Sequence, residues 1–401
     1  MKNRGIKFYF TLFFCLSSIQ FFGAAISSLS LVYYIYDGIF IITVLMVIVN
    51  YKKSYYKSFS IPVLLILIAE LIAAFNATYS WGQDLVDSFK AILPYMAYLL
   101  FFLLIIWKFR DKEIEKIIVI LGSAYIIVYL GSFLIYPTIL FGNMGHGDDR
   151  GFQRIIINGF GFLFLFSFFS LSKYIINRKF LWLLIYLLSM VCIIMTLTRT
   201  LIFFSILFSA VFILRKSSNF TKIMAVLAGA LCFYIIIQMN FYKLLVAETH
   251  SELSDVKDNI RVQAIDYYLN DFSPNLFSKI VGNGQPYSNK NSSYTKFVDY
   301  LEDGRGLYTS DIGYIGLYVK FGILAIFSYL IFIYKTLKTS VSIENLYCKY
   351  FLIFIFAISF IIDAPFDTSF IPAIVLATYV LYSKDLSRTD NNESSNKFLL
   401  G

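Results

Sequence analysis

Charge is scarce in this chain. Only 15% of its 401 residues are Asp, Glu, Lys or Arg, whereas 59% are hydrophobic, and the mean hydropathy is +0.72. A water-soluble domain carries roughly 25% charged residues to cover its surface, so a soluble fold is excluded. The two histidines, His146 and His250, stand far apart. Without an HExxH, CxxC or aspartate cluster they make no metal site, and none is expected. The four cysteines (Cys15, Cys192, Cys232, Cys348) fall inside apolar runs at unrelated spacings, which favours packing over zinc or disulfides. No GxxxxGK[ST] loop, dinucleotide fingerprint or GxSxG elbow occurs, so no cofactor is expected, and P-loop nucleotide hydrolysis and a standard hydrolase site are excluded.

What the chain has instead is apolar runs long enough to cross a ~30 Å hydrocarbon core, recurring from end to end. Long Leu/Ile/Phe runs, rather than short alternating segments, exclude a β-barrel. The expected fold is all-α, a bundle of about twelve transmembrane helices that satisfy their own backbone groups in lipid. The runs lie near 6–25, 31–50, 60–78, 89–107, 117–140, 155–172, 180–198, 200–214, 222–242, 312–334, 347–363 and 369–383. The first follows Lys2 and Arg4 as a signal peptide does, but its apolar part is longer than a signal core and a second span follows at once. It is read as an uncleaved helix.

The net charge of +9 does not point to nucleic acid, because the basic residues occupy short connections between apolar runs. Every second connection is basic: Lys2, Arg4 and Lys7; Lys52, Lys53 and Lys57; Lys108, Arg110, Lys112 and Lys116; and so on to Lys384 and Arg388. The positive-inside rule then puts both termini in the cytoplasm. It divides the chain into nine spans over 1–242, an external segment over 243–311, three spans over 312–383 and a polar cytoplasmic tail over 384–401, expected to be disordered.

The external segment is the most informative stretch. Ser254 to about Phe272 reads as an amphipathic helix, with Val256, Ile260, Ala264 and Tyr267/Tyr268 at helical spacing and Ser254 or Asp255 as its cap. Arg261 sits beside the apolar stripe. Val281-Gly282-Asn283-Gly284 is a tight turn whose glycines permit close backbone approach. The run Asp303-Gly304-Arg305-Gly306 through Gly313 leads into the tenth span, with Ser310 or Asp311 as its natural N-cap.

Polar residues also punctuate the bundle. Thr196-Leu197-Thr198-Arg199-Thr200 interrupts an apolar run from Phe180 to Leu214 and puts Arg199 near the outer surface. An arginine there either snorkels or meets an anion, and the flanking hydroxyls favour the anion. Arg150 and Arg154 stand before the sixth span, with Asp148 and Asp149 as local partners. Within the spans, Lys320 and Glu70 are candidates for a buried ion pair or a relay; with Asp37 they would line a path in a transporter.

The motifs Thr-Leu-Thr-Arg199-Thr, Asn259-Ile-Arg261, Val-Gly282-Asn-Gly284 and Tyr308-Thr-Ser-Asp311-Ile-Gly-Tyr-Ile-Gly-Leu-Tyr-Val-Lys-Phe-Gly322, in this order, resemble the bacterial O-antigen polymerase and ligase superfamily. That resemblance implies a glycosyltransferase of the cytoplasmic (inner) membrane that takes glycan from an undecaprenyl-diphosphate donor, acting in O-antigen (lipopolysaccharide) or other surface polysaccharide synthesis. It implies Arg199 and Arg261 as the holders of the diphosphate, as bidentate guanidinium chemistry allows. Ligase relatives carry a histidine where this chain has Ser310-Asp311, so the polymerase is favoured, with Asp311 as base and Asp303 or Glu302 as alternatives. Arg150, Arg154, Arg305, Gly282, Gly284 and Lys320 complete the expected substrate site. The expected partners are the lipid-linked oligosaccharide, membrane lipid and a chain-length regulator. A ligase and a lipid-linked oligosaccharide flippase or other secondary transporter are the competing readings.

Overall fold

A computed structural model describes residues 2–24, 30–50, 58–136, 138, 140–144, 155–215, 259–287 and 292–399. Its helices are α1 (Lys2–Ser18), α2 (Ser30–Val49), α3 (Ser60–Trp81), α4 (Leu85–Ile92), α5 (Leu100–Trp107), α6 (Asp111–Leu134), α7 (Phe160–Asn177), α8 (Phe180–Met195) and α9 (Arg199–Leu214). After the interval follow α10 (Ile260–Asn270), α11 (Leu276–Val281), α12 (Ser293–Asp299), α13 (Gly313–Lys338), α14 (Leu346–Ile358) and α15 (Ile371–Leu399). The only sheet among the described residues pairs Asn143 with Ile156 and Met144 with Ile155. The expected ninth span, 222–242, and Arg150, Arg154, His146, His250 and Cys232 lie outside the described residues.

Among the described residues, four helical stretches are long and apolar enough to cross a membrane: Ser60–Trp81, Asp111–Leu134, Phe160–Asn177 and Thr309–Lys338. A fifth forms if Leu85–Ile92 and Tyr95–Trp107, bent by 56°, count as one span. Their side chains are sorted as lipid requires. On α13, Ile323, Phe327, Leu330, Tyr334 and Leu337 are all exposed, at spacings that trace one face of a helix. Ser328 and Thr336 on the same helix are buried, and Ser328 Oγ donates to the Pro62 carbonyl of α3. Such an apolar outer face suits hydrocarbon as solvent.

Several expected boundaries are corrected. The fourth span is broken, because Pro94 lacks an N–H and the chain continues as a 3-10 turn, Tyr95–Leu99, before α5. The first helix stops at Ser18, where Phe21 and Phe22 take positive φ and reverse the chain. The sixth span starts at Phe160, since Ile155 and Ile156 are paired as a strand. The expected disordered tail after Ser383 instead extends α15 to Leu399; once its apolar start is packed, each further helical residue adds a hydrogen bond. The described start of α10 is capped by Asn259, whose side chain accepts from Arg261 N at 2.9 Å; the expected caps Ser254 and Asp255 lie outside the described residues.

Candidate functional site

The helix α13, the expected tenth span, is interrupted in its N-terminal half. Gly322 adopts φ +76°, ψ −173°, inside what is otherwise a continuous helix. Such a break withdraws the N–H groups that would have bonded the carbonyls one turn earlier. The Val281-Gly282-Asn283-Gly284 turn supplies replacements. Asn283 N donates to Val319 O at 2.9 Å, Asn283 Nδ2 donates to the same oxygen at 3.0 Å, and Gly284 N donates to Lys320 O at 2.8 Å. Irregular backbone at membrane depth is tolerated only where protein covers it in this way.

The turn is fixed from α3 as well. Asn76 Nδ2 donates to Gly282 O at 2.6 Å, and Trp81 Nε1 donates to Asn283 Oδ1 at 3.0 Å. Gly282 and Gly284 have φ of +87° and +75°, and a Cβ on Gly284 would lie 2.6 Å from Ala73 O. The close approach expected of these glycines is therefore to α3 and α13.

Above the break lies a cavity of about 290 Å³, bordered by Gly284, Gln285, Asp299, Glu302, Thr309, Ser310 and Lys320 among others. Lys320 is 9% exposed and forms an ion pair with Asp363, Nζ to Oδ2 at 2.9 Å. Asp363 N donates to Ser310 O at 3.2 Å, which ties the α14–α15 connection to the start of the tenth span. Tyr98 buttresses that connection, donating to Pro365 O at 2.9 Å and meeting the Tyr329 hydroxyl at 3.2 Å. Burial and the neighbouring Asp363 carboxylate push the Asp367 carboxyl up to about 6, against the pull of Ser369 N–H and Lys320.

Glu302 belongs to a π-helical turn, Tyr300–Gly304, whose carbonyls are closed by Gly306 N and Leu307 N, both at 2.9 Å. Its Oε1 accepts from Thr309 Oγ1 at 3.2 Å. Burial raises its pKa above the ordinary glutamate value, while Lys320 and the Thr309 bonds oppose the rise.

The expected site residues are thus distributed in three ways. Lys320 and Gly284 border the cavity, whereas Gly282 packs against the backbone of the α13 break. Asp311 sits in a 3-10 turn, Thr309–Ile312, and its neighbours Thr309 and Ser310 border the cavity in its place. The expected N-cap of the tenth span on Ser310 or Asp311 is also corrected: the position falls on Ile312, because Gly313, at φ +52°, separates the turn from α13. Arg199 begins α9, which packs on α7, α8 and α14, after a reversal in which Leu197 takes φ +55°. Arg261 is exposed at the start of α10, which packs on α13 and the Thr309–Ile312 turn. Arg305 is exposed and lies over the Tyr267 ring, 5.1 Å from its centroid. Different neighbours therefore position Arg199 and Arg261.

Asp363 and Asp367 were missed. A signal existed: Asp363 closes an apolar run as Lys320 interrupts one, and opposite charges stranded in apolar sequence tend to be partners. Glu70 is not that partner; it is wholly buried, and neither carboxyl oxygen has a hydrogen bond among the described residues. No cluster of three His, Cys, Asp or Glu side chains suited to a metal occurs among the described residues. Comparisons with protein-family models, with characterised proteins and with solved structures found no match.

Proposed function

We propose that this protein is a surface-polysaccharide polymerase of the cytoplasmic membrane. It would move a growing glycan from one undecaprenyl diphosphate onto a new lipid-linked repeat unit at the outer face. In this reading about twelve spans cross the membrane, both termini are cytoplasmic and residues 243–311 are external. The observation that carries it is the docking of residues 282–284 onto the break in α13, beside a cavity lined by both polar and apolar side chains at the edge of an apolar bundle. Substrates that are sugars at one end and polyprenyl at the other need this juxtaposition. Arg199 and Arg261 serve as anion holders for the diphosphate, whose negative charge grows as it leaves. Arg150, Arg154 and Arg305 are further cations on the same side, and a chain-length regulator is the expected protein partner.

The test is the phenotype of a strain lacking the protein. Polymerase loss leaves one repeat unit per lipid anchor, displayed externally. A flippase is the second reading, favoured by the buried, unbonded carboxyl of Glu70 in α3. Its loss leaves repeat units facing the cytoplasm. Loss of a ligase leaves finished polymer on the lipid carrier.

A further inference from the structure

The cavity differs in chemistry from the arginines. Among the described residues its charged side chains are Asp299, Glu302 and Lys320, and the lysine is already neutralised by Asp363 at 2.9 Å. An interior with this balance repels a diphosphate and suits neutral hydroxyl groups, for which Thr309, Ser310, Thr295 and Gln285 offer hydrogen bonds. Gln285 Oε1 is buried and has no hydrogen-bond partner among the described residues. The volume, about 290 Å³, lies at the bottom of the ~300–1,000 Å³ range of small-ligand sites and suits a sugar ring better than a whole repeat unit.

We infer that this cavity is the acceptor subsite, that it takes an uncharged sugar, and that Glu302 rather than Asp311 is the base that removes the proton from the attacking hydroxyl. The inference rests on the polymerase reading and adds to it the identity of the base and the class of acceptor. In the transfer, the acceptor oxygen forms a bond to the anomeric carbon of the donor. The bond from that carbon to the diphosphate oxygen breaks, and its electron pair leaves with the diphosphate. The hydroxyl proton passes to the Glu302 carboxylate and is released to water when the acceptor leaves.

Lys320 acts through Glu302 as a positioning residue: its ammonium opposes the rise that burial gives the Glu302 pKa, and Asp363 holds the ammonium in place. The other ionisable groups facing Glu302 are Asp299, Asp303, Tyr268, Tyr294 and Tyr308. The tyrosines are neutral at working pH, and Asp303 pushes in the direction opposite to Lys320.

The experiment uses the full-length protein in nanodiscs with lipid-linked repeat units extracted from a strain that lacks it, and measures polymerisation against pH. Wild type should show an acid limb above the ordinary glutamate range. Glu302→Gln should lower the maximal rate by about 100-fold or more, the usual worth of a general base, with acceptor KM little changed. Glu302→Asp should recover part of that rate. Lys320→Met/Asp363→Asn, which leaves no unpaired buried charge, should move the acid limb to higher pH. Polymerisation by Glu302→Gln at the wild-type rate, or an unmoved limb in the double variant, overturns this inference alone. No polymerisation by the wild-type protein overturns the polymerase reading.

Discussion

Gly282 and Gly322 stand back to back. A Cβ on Gly282 would lie 2.5 Å from Gly322 N, and one on Gly322 would lie 2.3 Å from the Val281 carbonyl carbon. Both residues also have φ near +80°, at +87° and +76°, where an L side chain is strained.

Alanine at either position should therefore destabilise the protein by at least ~2 kcal/mol, from the strained backbone plus the clash. The double variant should cost less than the sum, since both disrupt one contact. Thermal unfolding in detergent checks this; wild-type melting temperatures for both single variants would contradict the packing described.

The Lys320–Asp363 pair should behave as a buried ion pair. Lys320→Met alone leaves a buried carboxylate and should cost ~3–5 kcal/mol, whereas Lys320→Met with Asp363→Leu should recover most of it. The comparison of single and double variants by melting temperature is decisive, because an exposed pair would give small and additive effects.

Asp367 gives the protein a pH signature. Its carboxyl titrates at about 6 when folded, against 3.8 as the ordinary value. Between those values the folded state holds the extra proton, so this group adds stability at low pH and loses it as pH rises through about 6. Asp367→Asn should flatten the difference in melting temperature between pH 4.5 and 7. An unchanged difference would show that another group sets it.

Arg199→Ala and Arg261→Ala should each abolish polymer while the protein still inserts at normal levels. Immunoblots of membrane fractions and polysaccharide gels check both halves, and normal ladders from both variants would remove the arginines from the site.

Topology is open to a direct test. A cysteine at Tyr300, which is 60% exposed, should react in intact cells with a maleimide that cannot cross membranes. One at Lys384 should react only after permeabilisation. The reverse pattern would falsify the orientation read from the basic connections.

Much of the bundle was legible because apolar length and charge asymmetry act locally. The start of α3 at Ser60, the reversal at Thr196–Thr200 and the helix around Ala264 and Tyr268 all follow from short-range pattern. What escaped depends on partners distant in sequence. Nothing near Gly322 says that a helix breaks there; the break is tolerated because Asn283 and Gly284 bond the carbonyls of Val319 and Lys320. Likewise Lys320 has Asp363 rather than Glu70 as its partner, which only the packed bundle decides. Pro94 was the exception, a local signal for the break before Tyr95 that lay in plain view inside an apolar run.

Because the 282–284 turn completes the hydrogen bonding of α13, the external segment is not a lid on a hinge. Swinging it away would strand two carbonyls at membrane depth, so the turn and the helix move together or not at all. In the polymerase reading, the growing glycan would have to leave without displacing this turn. Any force on the turn would pass through the Asn283 and Gly284 bonds straight into α13.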